Sequence, residues 1–255
     1  MPLRPISSFA CYYGSDRVDD LASYDLVILP PPHYGRDQIE RLQQAGVVCF
    51  AYLSLGELPE QQARPEWQFI DPASGQPANN PLWKTIYLDC RLAAWQNHVL
   101  NVSIPAIMQR GFAGLFLDTI DVQEIFPETR KGAADLVRQI RAQYPSILLA
   151  ANRGFSLLEE TNFCLDAFLF EAFTTHCRDG EYAAWNGSEL LWTEQKATEL
   201  RAISGDRPIL ALDYAAPEDS ELRRLATERA GSHGFVSSVG TRYLNWLPVR
   251  AALDK

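Results

Sequence analysis

The chain has 255 residues, 47% hydrophobic and 22% charged, with a formal net charge of −9; this is the make-up of a soluble globular protein. No apolar run approaches the ~18 residues that a membrane span needs. The acidic balance argues against nucleic acid as a general partner, because phosphate binding calls for an excess of Lys and Arg; it would suit a cationic substrate, though solubility alone accounts for a charge of this size.

Strand-length apolar runs recur along the whole chain. Phe9 to Gly14 is the first, followed by Asp25 to Pro31, Val47 to Ser54, Gly114 to Thr119 and Ser146 to Asn152. Ala167 to Glu171, Pro208 to Asp213 and Gly234 to Ser238 complete a set of eight. Amphipathic stretches lie between them at Arg36 to Ala45, Leu92 to Arg110, Lys131 to Gln143, Thr193 to Ile203 and Ser220 to Ala230. Pro105 falls inside the second of these and predicts a kink or a break. Strands alternating with helices imply a parallel sheet with right-handed crossovers. Eight of them at this length predict an α/β fold, a single (β/α)8 TIM barrel over residues 1–255. The open doubly wound sheet is disfavoured, since YYGSDR rather than a glycine-rich phosphate loop follows the first strand.

Two insertions stand out, Leu55 to Cys90 after the third strand and Thr174 to Trp192 after the sixth. Both leave the strand ends that carry active sites in barrels, and their tryptophans and tyrosines argue for ordered loops. The five cysteines are odd in number and include no CxxC pair, so neither a zinc site nor a full disulfide framework is indicated. Cys11 and Cys49 lie within strands as small core groups, leaving Cys90 and Cys177 as candidates for a bridge.

Polar residues collect where the strands end: Tyr12 and Tyr13, Tyr52 and Glu57, Asp118 and Asp121, Asn152, Glu171, then Asp213 and Tyr214. Side chains alternate along a strand, so Asp118 shares a face with Gly114 and Phe116, and Glu171 with Ala167 and Leu169. That points both acids into the barrel at its top. A single acid after a strand reads equally as a helix cap or an ion-pair partner. Two of them on the fourth and sixth strands, within a ring of Tyr, Asn and Asp, could flank one bond, as glycoside hydrolysis requires. One acid protonates the leaving oxygen while the other attacks carbon or activates water. The four histidines are scattered singly with no HxH or HExxH, and G-x-S-x-G is absent, so metal and serine hydrolases fit less well.

FAYLSLGE (Phe50 to Glu57), GFAGLFLDTID (Gly111 to Asp121), ANRGF (Ala151 to Phe155) and FEAF (Phe170 to Phe173) occur in that order at successive strand ends. Together they resemble glycoside hydrolase family 114, the endo-α-1,4-polygalactosaminidases. The resemblance is strong over the first two-thirds of the chain and looser beyond. It implies cleavage of an α-1,4-linked galactosamine or partly N-acetylated galactosamine polymer, with Asp118 as nucleophile of a retaining mechanism and Glu171 as general acid/base. It matches Tyr52, Glu57, Asp121 and Asn152 to the sugar-binding cleft; Tyr12, Asp213 and Tyr214 join them from the ring of strand ends. No metal or organic cofactor is expected, and the partner is a cationic amino-sugar polysaccharide. The opening MPLRPISSFA lacks the long apolar core of a signal peptide, whereas the resemblance implies an exported enzyme. A barrel that binds polysaccharide without cutting it, and a hydrolase of a different α-glycan, are the alternatives.

Overall fold

A computed structural model describes residues 3–248. Eight parallel strands form the central sheet: β1 (Phe9–Cys11), β2 (Leu26–Leu29), β3 (Val48–Ser54), β4 (Gly114–Asp118), β5 (Leu148–Asn152), β6 (Ala167–Glu171), β7 (Ile209–Tyr214) and β8 (Val236–Gly240). Each pairs with its sequence neighbour in the order β1 to β8, and β8 comes back against β1. The result is a nearly closed TIM-type barrel. At the seam the chain is tied by Tyr13, whose N–H donates to the Leu244 carbonyl at 2.7 Å.

The strands are apolar on both faces because they separate two cores. Phe9, Leu26, Phe50, Phe116, Leu169 and Leu210 fill the barrel interior, while Val27, Leu115, Leu117, Phe168 and Phe170 pack under the helices. Gly114 leaves room for the interior ring of Phe50, which a Cβ there would meet at 2.6 Å. Outside, helix Arg36–Gln44 buries Ile39 and Leu42 completely and is followed by Gly46 at φ 84°, the left-handed position that favours glycine.

The stretch around Pro105 does break, as expected, and its form is specific. Helix Ala93–His98 passes through a π turn, Val99–Ser103, into helix Ile104–Gln109. Proline offers no N–H to the preceding turn and its ring crowds the carbonyl four residues back; a widened turn at that place absorbs both. Helix Gly187–Ser204 starts six residues ahead of the predicted Thr193. Its first turns expose Leu191 and Trp192, which hides the helical periodicity.

The two insertions are ordered by their aromatics. In the first, Glu57–Pro59 and Asn79–Asn80 both pair with Thr85–Tyr87 in a small antiparallel sheet. Trp67 packs against Trp95, and Phe69 stacks on Phe126 at 4.2 Å. The second begins with a hairpin, Thr175–Arg178 with Glu181–Ala184. Its turn is Asp179-Gly180, both at positive φ, as a two-residue hairpin loop of this hand requires. All five cysteines are free thiols, so the bridge considered for Cys90 or Cys177 does not form; the Cys90 thiol is buried against the Leu55 carbonyl. Among the described residues no helix is long and apolar enough to cross a membrane.

Candidate active site

The C-terminal ends of β4, β5 and β6 bring three side chains together. Asn152 stands between the two acids, and its amide nitrogen donates to Asp118 Oδ1 at 2.8 Å and to Glu171 Oε2 at 2.6 Å. Those two oxygens therefore lie no farther apart than both bonds laid end to end, about 5.4 Å. Each acid has a second donor on its far side. The Tyr52 hydroxyl donates to Asp118 Oδ2 at 2.8 Å, and the Tyr214 hydroxyl donates to Glu171 Oε1. The chain is thus Tyr52, Asp118, Asn152, Glu171, Tyr214, running across five neighbouring strands from β3 to β7.

This order follows from the fold. Ser54 is in register with Asp118, and alternation places Tyr52 on the inward face beside it. Immediately after Asp118, Asn152 and Glu171 the backbone enters the left-handed region, at Thr119 (φ 55°), Arg153 (φ 50°) and Ala172 (φ 51°). Three successive strands therefore end in a site residue followed by the same sharp turn. Such a conformation costs a non-glycine residue about 1 kcal/mol or more. Thr119 is held in it by its hydroxyl, which lies 2.8 Å from the Ser54 hydroxyl, accepts from the Gly56 N–H and donates to the Asp118 carbonyl.

Burial and the neighbouring Glu171 charge raise the Asp118 carboxyl above its usual range, while donation from Asn152 and Tyr52 opposes the rise. Asp118 therefore holds its proton to higher pH than an isolated aspartate. Asp121, in the short helix Ile120–Glu124, is pushed up to about 7 by burial and by Asp118, with Arg153 pulling the other way. Glu57 accepts from Asn80 and Thr85 in the small sheet. Tyr87 is raised by burial and by the charges of both Glu57 and Asp121. No group of three His, Cys, Asp or Glu among the described residues is placed to hold a metal ion.

The structure gathers Tyr52, Asp118, Asn152, Glu171 and Tyr214 into one network, with Asp121 and Glu57 beside it. It does not bring Tyr12 or Asp213 there. Tyr12 is 2% exposed in the outer core and donates to Asp16. Asp213 is buried behind the sheet, where it accepts the Thr174 and Thr175 N–H groups at 2.6 and 2.7 Å and anchors the start of the second insertion. Burial pushes it up to about 6 against those two donors. Tyr13 occupies the inward place instead, edge-on to Tyr52 with ring centroids 5.3 Å apart. Alternation from Phe9 and Cys11 was the signal for it.

Residues 4–252 match the model of glycoside hydrolase family GH114. The chain is a member of that family. This GH114 glycoside hydrolase superposes on the glycoside hydrolase domain of PelA from Pseudomonas aeruginosa with a TM-score of 0.85 and 27% identity, covering 96% of this chain and 98% of that one. It also resembles Aspergillus fumigatus Ega3, solved in complex with galactosamine, at a TM-score of 0.69 over 94% of both chains. At 13% identity that likeness is one of fold. An uncharacterised protein of Methanocaldococcus jannaschii, MJ1477, is 28% identical over 97 residues, a stretch spanning 37% of this chain and 28% of that protein.

Proposed function

We propose that this GH114 enzyme is an endo-acting hydrolase of an α-1,4-linked galactosamine polymer, partly N-acetylated, and that it retains anomeric configuration. The supporting observation is the single Asn152 amide shared by both acids. It keeps the facing oxygens no more than about 5.4 Å apart, compatible with the ~5–5.5 Å of retaining enzymes and short of the ~6.5–9.5 Å that an inverting enzyme needs to admit water.

On this reading Asp118 attacks the anomeric carbon while Glu171 protonates the departing glycosidic oxygen. Glu171 then takes a proton from water as that water displaces Asp118, giving a product of the original configuration. Asn152 and Tyr52 hold Asp118 in line and favour its ionised form. Asp118, Asp121 and Glu57 make the cleft acidic, which suits an ammonium-bearing sugar, and that ammonium in turn favours ionised Asp118. The galactosamine seen with Ega3 agrees with this substrate class.

The test is digestion of galactosamine polymers by wild type, Asp118→Ala and Glu171→Ala, with the anomer of the first product followed by NMR. Wild type should release the α-anomer first, and both variants should lose at least ~10³-fold in rate while remaining folded. Initial β-anomer, or wild-type rates from either variant, would overturn the assignment. No cleavage of any galactosamine polymer, alongside cleavage of another α-glycan, would replace the substrate.

A further inference from the structure

Beside the paired acids lies a pocket of quite different character. It has a volume of about 420 Å³ and is lined by Arg153, Arg178, Trp185, Glu189 and Trp192 among others. Two tethers place it next to the chemistry. Arg153 follows Asn152 directly in the chain, and the Trp185 indole donates at 2.6 Å to the carbonyl of Ala172, the residue after Glu171. Arg153 is also close enough to Asp121 to favour its ionised form, so it marks the border between cleft and pocket.

Two guanidinium groups held over indole rings dominate this pocket, with the Glu189 carboxylate and the Ser188 and Thr193 hydroxyls also on its wall. Arg153 lies 5.2 Å from the Trp192 centroid and Arg178 lies 4.6 Å from that of Trp185. Neither guanidinium donates a hydrogen bond to any described residue, and the one ion pair of Arg178, to Glu189, is long at 4.0 Å. Each therefore has donors free for whatever enters. A protonated amine has no acceptor to give them and meets two cations against the one carboxylate of Glu189. An uncharged sugar bearing a carbonyl satisfies them.

Resting on the reading that the substrate is a galactosamine polymer, we propose that this pocket is a subsite for an N-acetylated unit flanking the cleaved bond, with Arg178 and Arg153 donating to its acetamide oxygen. The enzyme thereby reads a mixed pattern: a cationic unit over the acids and an acetylated unit at the Arg-lined edge.

The test compares kcat/KM on two α-1,4-galactosamine oligomer pools of equal length, one fully de-N-acetylated and one about half N-acetylated. Wild type should prefer the acetylated pool by about tenfold. Arg178→Ala should erase the preference, and Arg178→Glu should reverse it by slowing the acetylated pool and speeding the deacetylated one. A damaged fold lowers both rates together and cannot produce opposite changes. Equal wild-type rates on the two pools, or a preference that survives Arg178→Glu, would overturn the subsite and leave the hydrolase assignment standing. No cleavage of either pool by wild type would instead remove the substrate reading beneath it.

Discussion

Among the described residues, Asn152 is the one whose side chain hydrogen-bonds both acids, and replacing it with alanine removes that link. The amide makes one hydrogen bond to each carboxylate, and bonds to charged groups contribute about 1.5–3 kcal/mol apiece. Donation to Asp118 favours its ionised form. Losing even 1.5 kcal/mol of that preference raises the carboxyl by about one pH unit. On the proposed mechanism Asp118 attacks in its ionised form, so activity is present above its pKa and disappears as pH falls through it. Without the donor that acid limb must move upward, by about one unit. The height of the profile should also drop by about 100-fold, since the spacing of the acids is no longer enforced and an ångström of misplacement carries a cost of that size. The assay is reducing-end release from a galactosamine polymer across about pH 4–8, with circular dichroism confirming the fold at each pH. A lowered plateau with an unmoved acid limb would show that Asn152 only spaces the acids. A limb displaced downward would refute the electrostatic reasoning altogether.

Tyr52→Phe removes the lesser of the two side-chain donors on Asp118, so its acid limb should also move up, by less than in Asn152→Ala, in the same assay. Asp121→Asn should stabilise the protein by about 1–3 kcal/mol at neutral to alkaline pH. The folded-state pKa of Asp121 is raised from 3.8 to about 7, so ionisation opposes folding above that range and not below the unfolded value. The gain, read as a difference in urea midpoint, should shrink as pH falls from about 7 toward 4. Gly56→Ala sets a methyl 2.4 Å from the Thr119 carbonyl; backbone has to shift, and a loss of about 1–3 kcal/mol with reduced turnover is expected from thermal melts and the same cleavage assay.

Much of the barrel could be read from sequence because its strands are buried on both faces and so appear as unbroken apolar runs. β6 matches its predicted bounds at both ends, and β4 and β5 end in the acid and amide that terminate their runs. The site was legible to the extent that alternation was followed. It places Asp118 and Glu171 inward, and the same rule along Phe9, Cys11 and Tyr13, or Leu210, Leu212 and Tyr214, selects Tyr13 and Tyr214 over Tyr12 and Asp213. The small sheet of the first insertion left no such trace. Its strands are two or three residues long, rich in proline around them, and join Glu57 to Tyr87 across thirty positions. The bridging role of Asn152 is likewise a product of assembly, because it exists only once β5 lies between β4 and β6.

The three left-handed turns after Asp118, Asn152 and Glu171 bear on how such an enzyme could be altered. Glycine at Thr119, Arg153 or Ala172 would relax the backbone locally, and a search for thermal stability alone would be drawn to those positions. Yet each turn fixes the angle at which its strand hands a functional group to the cleft. Variants hardened there would trade aim for endurance, so a laboratory selection run on heat resistance and one run on turnover should diverge first at these three residues.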